Sequence, residues 1–92
     1  MLKINRNSGF KLTFNNGLTI SVQFDNGNYC SRSRIKPKEE EVDIESTDAE
    51  IAIWDENDNW HSFNGDIVKG YVDANEVAMW IGKVANAANI HL

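Results

Sequence analysis

An Asn-Asn-Gly triplet at residues 15–17, between two runs of alternating apolar and polar residues, constrains the fold of this chain more than any other feature. The runs at 10–14 and 18–24 alternate with the period of two that is typical of a β-strand with one buried face. Asn-Gly is the strongest short signal for a hairpin, because both residues tolerate a positive φ. We therefore predict a β-hairpin whose apolar residues share one face, namely Phe10, Leu12, Phe14, Leu18, Ile20, Val22 and Phe24.

The second half of the chain predicts a further hairpin unit. Residues 49–54 form an almost continuously apolar run, which is typical of a strand covered on both faces. The polar stretch 55–59 has the composition of a turn, and residues 60–63 are expected to return as the partner strand. A turn at 64–66 then leads into one more strand, expected over residues 67–72.

The C-terminal region predicts one helix. Asp73 is a typical N-cap residue, and Glu76, three positions later, completes a capping box. The helix is expected to run from roughly residue 74 to residue 88, with Gly82 marking a close approach to a strand. Its apolar positions recur with helical spacing and should pack on the sheet, namely Val77, Trp80, Ile81, Val84 and Ala88.

Together these elements predict a single domain over residues 1–92, of the α+β class. We expect a mainly antiparallel sheet of roughly four to five strands, built from two hairpin units, with one C-terminal helix packed on it. The segment of about residues 31–48 contains the only proline and the densest charge, so it is expected to be a charged loop or an edge strand.

Simple counts exclude several classes of protein. A single cysteine, Cys30, leaves no intramolecular disulfide and, with no leader peptide at the start of the sequence, indicates the cytoplasm. No apolar stretch approaches the length of about 18 residues that a membrane span needs, so no membrane partner is expected. Cys30, His61 and His91 lack the paired spacing of zinc ligands. Phosphate-binding glycine loops are also absent, and we expect no metal, no cofactor and no enzymatic activity.

The net charge of −5 is divided unevenly along the chain. Residues 1–38 carry seven cations and one anion, whereas residues 39–92 carry two cations and 13 anions. An acidic surface accelerates association with basic proteins, although acidic runs also serve as solubilising linkers. The candidate partner-binding residues are the acidic block and two aromatic residues, namely Glu39, Glu40, Glu41, Asp43, Glu45, Asp48, Glu50, Tyr29 and Trp60.

A row of alternating cations gives a second hypothesis. Every second residue from 32 to 38 is a cation, so an extended chain would project all of them to one side. With Tyr29 nearby for stacking, such a row suits the phosphates of a nucleotide or a nucleic acid. The alternative is a solvated loop whose cations pair with the adjacent glutamates. The candidate phosphate-binding residues are Arg32, Arg34, Lys36 and Lys38.

Three further features have ordinary structural explanations. Residues 55–59 place oxygen atoms at alternate positions, as the start of a calcium loop does, but the required Gly and Glu do not follow, and a hairpin turn is expected. His61 and His91 are expected to be surface or packing residues. Trp54 and Trp60 flank this turn, where they either cap the core or form a binding hot spot.

Several runs resemble small proteins encoded by bacteriophages and prophages. They are the stretch from Phe10 to Phe24, its continuation Gly27-Asn28-Tyr29-Cys30, and the later Ala49-Glu-Ile-Ala-Ile-Trp with Trp60. The resemblance covers about half of the chain, and no functional residue is carried over from it. It implies a small early phage protein. Many such proteins, anti-CRISPR proteins among them, disable host defences by binding a defence protein.

We therefore expect a non-enzymatic, phage-type binding protein in the cytoplasm of an infected bacterium. It would inhibit a host defence protein through the acidic and aromatic residues, by occupying a basic surface. Two alternatives stay open. One is a nucleotide or nucleic-acid binder that uses the row of cations, and the other is a small structural phage protein that forms oligomers such as a homodimer.

Overall fold

The computed structural model describes residues 1–5, 8–24 and 46–92, which form an antiparallel sheet with one helix. The five strands lie in the sheet in their sequence order. They are β1 (Leu2–Asn5), β2 (Gly9–Thr13), β3 (Thr19–Gln23), β4 (Asp48–Trp54) and β5 (Lys69–Asp73), and the helix α1 (Ala74–Ala85) follows β5 directly. The predicted α+β class is confirmed, with an antiparallel sheet and one helix packed on it near the C-terminus.

The predicted first hairpin is confirmed as β2 and β3. Leu12 lies opposite Ile20, so the apolar side chains of the two strands share one face, as the alternation predicted. Among the turn residues, only Gly17 takes a positive φ, at 85°. Its backbone N–H donates to the carbonyl of Phe14 at 3.0 Å, which closes a three-residue hairpin loop with glycine at the left-handed position.

The core lies between the sheet and α1. The helix contacts β3, β4 and β5. Because opposite residues of antiparallel strands point to the same face, one apolar row crosses the sheet from Leu12 through Ile20 to Ile53. The buried cluster comprises Leu18, Ile20, Val22, Ala49, Ile51, Ile53, Val72, Trp80 and Val84.

One side chain of the β2–β3 turn, Asn16, forms hydrogen bonds with the end of the helix. The Nδ2 of Asn16 donates to the carbonyl oxygens of Val84 at 2.8 Å and of Ala87 at 2.9 Å. The Val84 carbonyl lies in the last turn of α1 and the Ala87 carbonyl lies just beyond it, where backbone acceptors lose their intrahelical donors. The Oδ1 of Asn16 accepts the backbone N–H of Leu18 at 3.0 Å. Asn16 therefore couples the hairpin turn to the end of the helix.

The helix begins as predicted and ends earlier. The Oδ1 of Asp73 accepts the backbone N–H of Glu76 at 2.9 Å, which confirms the N-cap. The predicted capping box is not completed, because the carboxylate of Glu76 accepts hydrogen bonds from Lys69 and Trp80 instead. The last residue of α1 is Ala85.

Two expectations about the helix were wrong. Ala88, expected at the end of the apolar stripe, lies beyond α1 and is exposed. Gly82, expected at a close approach to a strand, has nothing but its own helix within 4 Å of the place where a Cβ would stand. The rest of the predicted stripe packs on the core, since Trp80 and Val84 are buried and Val77 and Ile81 are half-buried against it.

The predicted second hairpin differs from the structure. Residues 60–63 form only isolated β-bridges, not the expected partner strand of β4. The chain reverses immediately afterwards, at Asn64 and Gly65, whose φ values are 54° and 99°, so no ladder extends. It is β5 that pairs with β4. The strand β1 was not predicted, because a run as short as Leu2–Asn5 shows too little alternation to identify.

Most of the charged segment predicted over about residues 31–48 lies outside the described residues. Asp48 begins β4, which is an interior strand between β3 and β5. The prediction of a strand over residues 49–54 is confirmed, with Ala49, Ile51 and Ile53 buried on the helix side. Within the described ranges, no helix has the length and apolar character needed to cross a membrane.

Candidate binding surface

Two stacked tryptophans lie on the sheet face opposite α1. Ile51 and Ile53 of β4 point toward the helix, so Trp54, the next residue in the strand, points away from it. Trp60 is bridged directly opposite Trp54, with their ring centroids 4.6 Å apart and the ring planes tilted by 33°. Trp54 is half-buried and Trp60 is 43% exposed, and neither belongs to the buried core. Of the two predicted roles for this pair, a cap on the core is not supported, because neither residue belongs to the buried cluster or to the partly buried residues packed against it.

The turn between the tryptophans is organised by one carboxylate. The Oδ1 of Asp55 accepts the backbone N–H groups of Asn57 and Asn59, both at 2.9 Å, and its Oδ2 accepts the side-chain amide of Asn59 at 3.0 Å. The hydrogen bonds from Asn59, followed by the one from Asn57, lower the pKa of Asp55. Asp58 takes a φ of 61°, a left-handed conformation that aspartate tolerates in turns. The predicted hairpin turn is confirmed.

The same arrangement bears on the calcium hypothesis for residues 55–59. Asp55, the residue that would begin a calcium loop, uses its carboxylate to close the turn. Among the described residues, no group of three or more His, Cys, Asp or Glu side chains is placed to hold a metal ion. The carboxylate of Asp55 therefore serves to close the turn that positions Trp60.

Asp58 and Trp60 line one open groove beside the turn. The opposite side of this groove is formed by residues 89–92, and His61 and His91 also line it. Asp58 is exposed, and in the described part of the chain no donor is hydrogen-bonded to its carboxylate. An exposed carboxylate side chain therefore lies within two residues of an exposed indole. We refer to Trp54, Trp60 and Asp58 as the tryptophan surface.

The indole N–H of Trp60 is also available as a hydrogen-bond donor as far as the described residues show. Within the described ranges, the indole N–H groups of Trp54 and Trp60 have no protein acceptor. Lys11 of β2 lies next to the pair, with its Nζ 5.6 Å from the centre of a Trp54 ring, which is within the range of a cation–π contact. Trp54 thus already contacts a cation, while Trp60 is exposed and its indole N–H has no acceptor in the described part of the chain.

The structure describes only some of the predicted partner-binding residues. Trp60 lies in the tryptophan surface. Asp48 and Glu50 are spaced alternately with Trp54 along β4, so they share its sheet face, with Glu50 about 13 Å from Trp54 along the strand. Five predicted acidic residues and one aromatic residue lie outside the described residues, namely Glu39, Glu40, Glu41, Asp43, Glu45 and Tyr29. The predicted phosphate-binding residues Arg32, Arg34, Lys36 and Lys38 lie outside them as well.

Sequence reasoning missed one member of the tryptophan surface and left another undecided. Asp58 was considered only as a turn residue or a calcium ligand, whereas Trp54 was expected either to cap the core or to form a binding hot spot with Trp60. The available signal was the acidic turn ending directly at Trp60, since a turn between two aromatic residues holds its charges beside their rings.

The remaining aromatic residues on the helix side form a packing cluster. His61 lies with its ring centroid 4.7 Å from that of Phe63 and 5.7 Å from a ring of Trp80. Burial lowers the pKa of His61, and the nearby Lys83 lowers it further. The lowered pKa favours the neutral imidazole, and the place of His61 in this cluster agrees with the prediction of a surface or packing residue.

Comparisons with protein-family models, with curated proteins and with solved structures found no match to this chain.

Proposed function

We propose that this chain is a non-enzymatic protein-binding module that uses the tryptophan surface to hold a basic patch on another protein. The observation that carries the proposal is Trp60, which is 43% exposed, stacked on Trp54 and without a hydrogen-bond acceptor among the residues that the structure describes. Exposed tryptophan is the residue type most enriched at the energetic centres of protein interfaces. A folded domain gains little from holding such a ring in water, so binding supplies a reason for its position.

The chemistry of the surface favours arginine in the partner. A guanidinium group stacks on the exposed face of an indole, and the same group forms paired hydrogen bonds with a carboxylate. Trp60 supplies the ring and Asp58 supplies the carboxylate, and both line the same groove. Asp48 and Glu50 add negative charge on the same sheet face, which attracts a basic partner before contact.

The partner that we propose is a host defence protein of a bacterium, inhibited through occupation of a basic surface. The resemblance of the sequence to small phage proteins supports this choice, and so does the excess of 13 anions over two cations in residues 39–92. The acidic residues from Glu39 to Glu45 would strengthen the long-range attraction.

The proposal is tested by affinity capture from bacterial lysate with three variants alongside the wild type. Trp60→Ala removes the ring, Asp58→Lys reverses the charge, and Met79→Ala is the matched control. Met79 is 49% exposed, similar to Trp60, but it lies on α1 away from the tryptophan surface. Captured proteins are quantified by mass spectrometry after each variant is shown to fold.

We expect a protein that is retained by the wild type and by Met79→Ala and lost with both Trp60→Ala and Asp58→Lys. The loss expected for an interface anchor is about 2 kcal/mol or more, or about 30-fold in affinity. A captured set that is the same for all four proteins would contradict the proposal, as would a captured protein that Met79→Ala loses and Trp60→Ala keeps.

A further inference from the structure

The outer edge of β1 presents backbone hydrogen-bonding groups that have no partner among residues 1–5, 8–24 and 46–92. The nitrogen of Met1 donates to the carbonyl of Thr13 at 2.6 Å, and the N–H of Thr13 donates to the carbonyl of Met1 at 2.8 Å. Hydrogen-bonded pairs alternate along an antiparallel ladder, so Lys3 is bonded to β2 whereas the N–H and C=O groups of Leu2 and Ile4 point away from it. Within the described residues, no backbone group is bonded to Leu2 or Ile4 on that side.

The side chains of the same two residues are exposed on the helix side of the sheet. Leu2 lies opposite Leu12 and Ile4 lies opposite Phe10, so both belong to the apolar face. The helix covers β3, β4 and β5 and does not reach β1 or β2. As a result Leu2 is 60% exposed and Ile4 is 73% exposed. An open strand edge and an exposed apolar strip therefore coincide at two residues.

The sheet face of β1 opposite Leu2 and Ile4 carries the lysine Lys3. Lys3 lies directly opposite Lys11, and like charges in this position repel each other. A second copy of the chain that paired with β1 through Leu2 and Ile4 would bring its own Lys3 opposite this Lys3. Lys3 and Lys11 of both copies would then lie close together, and their like charges would repel. Charge thus disfavours a second copy as the strand that covers this edge and favours a strand with a carboxylate at that position.

We propose that β1 is a docking edge for an extended segment of another protein, in which an acidic residue stands between two aliphatic residues. The segment adds antiparallel to β1 as a sixth strand. Its backbone bonds to Leu2 and Ile4, its aliphatic side chains extend the apolar strip, and its carboxylate lies beside Lys3. This surface is separate from the tryptophan surface, since three strand spacings, about 14 Å, separate β1 from β4.

The test uses the full chain and two synthetic peptides, Ac-Ser-Thr-Val-Asp-Val-Thr-Ser-NH2 and its counterpart with lysine in place of aspartate. Affinity is measured by titration of backbone amide shifts, and hydrogen exchange is followed for Leu2, Lys3 and Ile4. Two variants complete the design. Lys3→Glu reverses the charge and Lys3→Gln removes it, at an exposed position where either substitution leaves the core untouched.

We expect the aspartate peptide to bind the wild type at least about fivefold more tightly than the lysine peptide. Lys3→Glu should reverse that preference and Lys3→Gln should abolish it. The amides of Leu2 and Ile4 should gain protection from exchange on binding, whereas that of Lys3, already bonded to β2, should change little.

Four results would overturn the inference. The first two are that neither peptide binds and that both bind the wild type with equal affinity. The third is that the chemical-shift changes centre on Trp60 or α1. The fourth is that the free chain sediments as a dimer in which the amides of Leu2 and Ile4 are already protected from exchange. The last result would assign the edge to a second copy of the chain.

Discussion

Trp80 and Trp60 lie on opposite faces of the same sheet, and their surroundings differ in every respect that matters for their roles. Trp80 is 9% exposed, its indole N–H donates to Glu76 at 3.0 Å, and the rings of Phe63 and His61 pack against its own. Trp60 is 43% exposed, contacts one other aromatic ring and has no hydrogen-bond acceptor in the described part of the chain.

The difference separates a residue that stabilises the fold from one that is available to a partner. The removal of a buried and hydrogen-bonded ring leaves a cavity and takes one donor from a carboxylate, so its cost falls on folding. The removal of an exposed ring costs the folded chain little, so its effect should appear in binding. The sequence places Trp80 in an apolar helical stripe and Trp60 directly after a polar turn, and the structure shows that the first ring is buried and the second exposed.

The largest effect is expected for Trp80→Ala, which should lower the free energy of unfolding by about 3–5 kcal/mol. The ring packs in the buried cluster beneath α1, and its loss also leaves Glu76 without one of its two donors. Urea unfolding followed by circular dichroism measures this change. A loss below about 1 kcal/mol would remove the contrast between the two tryptophans.

The next effect concerns the hairpin turn that holds the helix over Trp80. Asn16→Ala removes both hydrogen bonds to the C-terminal end of α1 and should lower the free energy of unfolding by about 2 kcal/mol. Asn15→Ala is the matched control, because Asn15 is the exposed neighbour in the same turn. Equal losses for the two variants would show that the turn conformation, and not the attachment to the helix, is responsible.

A smaller effect is expected in the pH dependence of the free energy of unfolding, through ionisable residues on the helix side of the sheet. Hydrogen bonds from Lys69 and then from Trp80 lower the pKa of Glu76 in the folded state. The unfolded chain therefore binds the proton more readily, and the stability contributed by Glu76 is lost as the pH falls below about 4.3 and through the folded pKa. His61, whose folded pKa is also lowered, contributes a similar loss that begins below about pH 6.5.

Glu76→Gln isolates the first of these contributions. Between about pH 5 and about pH 3, the free energy of unfolding of this variant should fall less steeply than that of the wild type. Parallel slopes for the two proteins would show that the contacts of the Glu76 carboxylate with Lys69 and Trp80 do not stabilise the fold.

The smallest effect is expected on the outer side of the helix, away from both tryptophans. Gly82→Ala should raise the free energy of unfolding by about 0.5–1 kcal/mol, because an added Cβ meets nothing beyond the helix itself and alanine is the better helix former. Thermal unfolding detects a gain of this size. A destabilised variant would indicate that this side of α1 is packed against something.

The predictability of this fold from its sequence varied with the strength of local signals. The β2–β3 hairpin and the N-cap of α1 were predictable, because a glycine turn and an aspartate cap act on their own neighbours. The role of Asn16 was not, since its acceptors at Val84 and Ala87 are far away in sequence. The strand at residues 60–63 was predicted wrongly, because the aromatic residues that favoured it pack on Trp54 and Trp80 instead.

The candidate surface was predictable only in outline. The expectation that acidic and aromatic residues act together named Trp60, and the structure adds Asp58 and Trp54 beside it. Which rings of a tryptophan-rich chain are buried depends on the face that the helix covers, and alternation along β4 does not reveal that face. The pairing of Trp54 with Trp60 across the turn places both rings on the sheet face that α1 does not cover.

The most direct test of the account compares the stability of Trp60→Ala with that of the wild type and Trp80→Ala by urea unfolding. The account predicts a loss of about 1 kcal/mol for Trp60→Ala, the value of one exposed aromatic contact, with the fold intact. A loss of about 3 kcal/mol or more, comparable to that of Trp80→Ala, would make Trp60 a structural residue and contradict the assignment of the tryptophan surface to binding.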